Sequence, residues 1–81
     1  MGVTDSVEST LLLQIGALEE AISSLSLEIA GLHLRREAAR LAGDPEQRER
    51  CDEGMRVVEA RLSRIQDELM ATEKRFHSLT G

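Results

Sequence analysis

The sequence predicts an all-α protein, an antiparallel two-helix hairpin of the coiled-coil type. Three observations carry that expectation. The one proline, Pro45, falls near the middle of the 81 residues, within Leu41-Ala42-Gly43-Asp44-Pro45-Glu46-Gln47. Apolar residues recur at alternating steps of three and four on both sides of it. The composition is that of long helices, rich in Leu, Ala, Glu and Arg, with one Phe and no Trp or Tyr. A chain this short makes one domain, spanning 1–81.

The first four residues read as a loose tail. Asp5-Ser6-Val7-Glu8 then has the form of a capping box, in which the Asp5 carboxylate accepts from the Glu8 backbone N–H and Glu8 reaches back. With no proline before Pro45, the first helix is expected over about 6–42. Its seam is Ile15, Leu18, Ile22, Leu25, Ile29 and Leu32, which puts Ile at successive a positions and Leu at successive d positions. Leu11 extends the seam upstream, and Arg36 and Ala39 continue it downstream.

The turn is expected at 42–45. Gly43 suits the left-handed residue that ends a helix, because it has no Cβ to clash. Asp44 is placed to cap the next helix, with Pro45 in the first helical position and Gln47 completing a second capping box. So short a connection makes the two helices antiparallel neighbours.

The second helix is expected over about 45–79, with a seam of Cys51, Met55, Val58, Leu62, Ile65, Leu69, Thr72, Phe76 and Leu79. In a hairpin folded at the turn, facing positions sum to about 87 and an a site meets a d site. Leu18 then faces Leu69, Ile22 faces Ile65, Leu25 faces Leu62, Ile29 faces Val58, and Leu32 faces Met55. Two seams read separately agree in register.

The seam leaves apolar residues over. Leu13, Leu27, Leu34 and Leu41 lie on the opposite side of the first helix, flanked by Ala30 and Ala38, with Gly31 leaving a shallow spot. Val57 and Met70 are smaller extras on the second helix. A contiguous exposed apolar stripe marks an interface. Leu13, Leu27, Ala30, Leu34, Ala38 and Leu41 are therefore the expected partner-binding residues, used for self-association, for another protein, or for both.

Charge narrows the partners. The net charge is −5. Residues 1–34 hold Asp5, Glu8, Glu19, Glu20 and Glu28 and no Lys or Arg, while 35–81 balance. An acidic chain is repelled by nucleic acid and anionic membranes. No secretory leader and no membrane-length apolar run is read, and the lone Cys51 suits a reducing compartment, so a cytoplasmic setting is expected.

No catalytic, metal or cofactor residues are assigned. His33 and His77 fall at positions the hairpin keeps apart, and Glu37, four residues after His33, belongs to a solvated face. Cys51, on the seam opposite Arg36, reads as a small buried residue. Glu and Arg along the second helix, such as Glu46 with Arg50, form i,i+4 opportunities on a solvated face.

In length, in the Leu41–Gln47 turn and in the Leu/Ile seams on either side, the chain resembles the needle-subunit co-chaperones of bacterial type III secretion, the YscE/PscE/SsaE/EscE group. The resemblance implies a virulence-associated cytoplasmic protein. It would pair with a tetratricopeptide-type, helical-repeat chaperone, and the pair would keep the needle subunit unpolymerised before export. Two alternatives stand beside it: a homodimeric coiled-coil assembly or scaffold module, and a small regulator that sequesters another protein through its acidic face.

Overall fold

The computed structural model describes the backbone of residues 3–80 and the side chains of residues 6–80. Two helices, α1 (Val3–Ala42) and α2 (Pro45–Thr80), pack along their whole length as a rod of 62 × 15 × 14 Å. Among the described residues only Gly43 and Asp44 are non-helical.

α1 starts earlier than expected. Val3 and Thr4 are helical, which puts Asp5 inside the first turn and not ahead of it. An acidic residue is favourable throughout the positively polarised first turn, so it does not by itself mark the boundary. α2 ends at Thr80, one residue past the expected end.

The turn follows from its residues. Gly43 adopts φ 68°, and its N–H donates to Arg40 O at 3.2 Å. The Asp44 N–H donates to Ala39 O at 2.9 Å. This pair of bonds is a Schellman motif, which satisfies two carbonyls that the end of α1 would leave open. Asp44 then caps α2, with its Oδ1 accepting from the Gln47 N–H at 3.2 Å. The reciprocal half of the expected capping box is absent, because the Asp44 N–H that Gln47 would have bound is spent on closing α1. Arg40 in the last turn of α1 and Glu46 in the first turn of α2 each complement the helix dipole.

The core is one file of side chains between the helices. Leu11, Leu25, Ala39, Cys51, Met55 and Val58 are buried. Ile15, Leu18, Ile22, Ile29, Leu32, Leu62, Ile65, Leu69 and Phe76 are half-buried, as a two-helix seam with open sides requires. Thr72 is buried in the file and donates its hydroxyl to Glu68 O at 2.8 Å, so its polar group is satisfied within its own helix. Leu79, placed on the seam from its spacing, is 42% exposed and lines an open groove with Val7 and Leu11 at the pole away from the turn.

Two cross-hairpin contacts fix the register. Leu32 lies against Gly54, and Arg36 Nε lies 2.5 Å from Asp52 Oδ1. These pairs straddle the facing sum of about 87 that antiparallel packing gives.

Candidate functional site

The two helices distribute their apolar residues differently. α2 is mainly one-sided, with most of its apolar residues toward α1, whereas in α1 they point to opposite sides so evenly that no single direction dominates. One side of α1 meets α2. The other has no partner among the described residues.

That outer side is where the expected binding residues lie. Leu13, Leu27, Leu34 and Leu41 are 76, 75, 74 and 74% exposed, and Ala30 and Ala38 are exposed beside them. Buried Leu25, two residues from Leu27, is 8% exposed, so half a turn separates core from surface. The stripe is continuous from Leu27 to Leu41, about 21 Å at 1.5 Å per residue. Leu13 stands apart, because exposed Glu20 occupies the same column one heptad below Leu27.

The ground between the leucines is flat. Ser23, Ser24, Ala30, Gly31 and Ala38 flank them, and a Cβ added at Gly31 would meet no atom within 4 Å. A helix laid on this surface can approach toward the short end of the 8–10 Å range of interaxial distances.

Charge frames the stripe. Glu19, Glu20 and Glu28 lie around its upstream part, and Arg35 and Arg40 around its downstream part. Arg40 is already engaged: its Nε donates to both Glu37 oxygens at 3.1 Å, and its Nη2 also contacts Oε1. Those hydrogen bonds, with the Arg40 charge, hold the Glu37 carboxyl below its ordinary value, and the same bonds with the Glu37 charge raise the Arg40 guanidinium. Arg36 leans the other way, toward Asp52. Cys51, expected to face Arg36, is buried as a free thiol while its neighbour Asp52 takes the arginine. Among the described residues the ion pairs are Arg36–Asp52 and Arg40–Glu37, so the Glu46–Arg50 opportunity on α2 is not closed.

Some exposed apolar residues fall outside the expected set. Val7 and Leu12 near the start of α1 are 40 and 53% exposed, and Val7, Leu11 and Leu79 line a groove with Arg75 and Ser78 at the pole away from the turn. Leu12 stands next to Leu13 on the flank of the stripe, a position its spacing from the seam could have marked. Met70 and Val57 on α2 are 70 and 54% exposed.

No group of three or more His, Cys, Asp or Glu side chains arranged to hold a metal occurs among the described residues. No described helix is long and apolar enough to cross a membrane. Comparison with protein-family models, with curated proteins and with solved structures finds no match to this chain.

Proposed function

We propose that this hairpin is a bacterial cytoplasmic co-chaperone that works by binding and not by catalysis. Its outer α1 face docks on a helical-repeat chaperone of the tetratricopeptide type, and the pair holds a type III secretion needle subunit unpolymerised before export. The observation that carries the binding part is the exposed file Leu27, Leu34 and Leu41 on a helix whose other side is already packed. Three leucines in water on one rigid rod are a surface that complex formation stabilises. The narrower identity of the partner is supported by the likeness of the turn and seams to the secretion co-chaperones.

The shape suits such a role. A rod 62 Å long offers an extended, preformed edge to the concave surface of a helical-repeat protein, with little ordering of its own to offset on binding.

The test is co-expression with the proteins encoded beside it, followed by affinity capture and size-exclusion chromatography. The expected result is a stable complex with a helical-repeat chaperone, extended to three components by the needle subunit, and lost with Leu34→Glu. Recovery of the hairpin without any helical-repeat protein overturns the reading.

A further inference from the structure

We infer that in the absence of another partner the outer face of α1 is covered by the same face of a second copy, running antiparallel, with the two-fold axis passing near Ala30 and Gly31. This inference concerns the free chain and does not depend on which partner the hairpin serves.

Area supports a partner of this size. The chain exposes 6116 Å², where a compact 9.0 kDa monomer would expose about 4,850 Å². The surplus, roughly 1,250 Å², is that of a rod 62 × 15 × 14 Å, whose long outer side has room for the ~800 Å² that each side of a standard interface buries.

Self-complementarity names the occupant and its direction. With the axis at Ala30–Gly31, Leu27 of one copy meets Leu34 of the other, both pairs pack over the small residues between them, and each Leu41 lies at the rim against the stem of Glu20, whose carboxylate stays in solvent. On one flank Glu19 then approaches Arg40 of the second copy, and on the other Glu28 approaches Arg35. Symmetry makes four such approaches. All four side chains are exposed in the single chain, and Arg40, paired there with Glu37 on the surface, exchanges or shares that partner with Glu19. A parallel pairing would instead set Glu19, Glu20 and Glu28 against the same acids, because residues 1–34 contain no Lys or Arg. Like charges in apposition disfavour that arrangement. Gly31 and Ala30 at the crossing let the backbones approach closely.

Sedimentation of the full chain over a range of concentrations is the first measurement, with a reversible monomer–dimer equilibrium expected. Leu27→Glu with Leu34→Glu should weaken the dimer at least 100-fold, while circular dichroism shows the hairpin still helical. Orientation is read by cross-linking in a Cys51→Ala background. Ala30→Cys, next to the axis, should form an interchain disulfide. Ala17→Cys should not, since antiparallel copies hold its two positions about 40 Å apart. A chain that stays monomeric throughout, a dimer indifferent to the leucine changes, or efficient cross-linking of Ala17→Cys overturns the inference.

Discussion

Leu32 of α1 lies directly over Gly54 of α2, so that a Cβ on Gly54 would sit 3.4 and 3.5 Å from the two Leu32 methyls. Those distances are ordinary van der Waals contact. Gly54→Ala therefore fits, and it removes a helix-interior glycine that costs about 1 kcal/mol relative to alanine. Urea unfolding should show a gain near 1 kcal/mol. Gly54→Leu should lose about 1–3 kcal/mol by overpacking the same spot. A loss on Gly54→Ala would mean that the helices approach more closely than this contact implies.

The contrast between the two sides of α1 gives a second prediction. Leu25→Ala removes a side chain that is 8% exposed and should cost about 2–5 kcal/mol. Leu27→Ala, at 75% exposed, should change the stability of the monomer by no more than about 0.5 kcal/mol. Chemical denaturation at concentrations low enough to keep the chain monomeric separates the two.

At the turn, Gly43→Ala places a Cβ on a residue with φ 68° and should cost about 1–2 kcal/mol. Asp44→Ala removes the acceptor for the Gln47 N–H and should cost about 1 kcal/mol. Thermal melts followed by circular dichroism report both, and a domain of this size loses about 4–8 °C per kcal/mol.

The pH dependence of Glu37 has a definite sign. Arg40 holds its carboxyl below the ordinary 4.5, so its contribution is fully present above that value and is lost as pH falls through the depressed one. The pair is on the surface, where screening keeps the effect small. Comparing acid titrations of the parent and Arg40→Gln by circular dichroism, the parent should hold its helix to slightly lower pH, and added salt should narrow the difference.

The hairpin was legible in the sequence because its punctuation is chemically specific. Gly43 supplies the left-handed residue, Asp44 the cap and Pro45 the first helical position, and one register then brings Leu32 and Met55 to the same level. The start of α1 was less legible because Asp5 is favourable both as a cap and within the first turn, so its presence does not choose between them. Gln47 misled in a similar way. Its spacing from Asp44 is that of a capping box, but spacing does not reveal that the Asp44 N–H already closes the preceding helix. The outer leucines were visible as residues the seam left over, and the structure places them in solvent. Leu79 kept the seam spacing yet emerged half exposed, because packing at the far pole depends on what faces it.

The Schellman turn also sets an order of events. Leu32 and Met55 can meet by closing a loop of modest length, whereas Leu11 and Phe76, far from the turn, could meet first only by closing most of the chain, at a greater entropic cost. On loop-closure entropy the hairpin is expected to zip up from Gly43 outward. Substitutions at the turn should slow folding, while those near the open pole should chiefly speed unfolding.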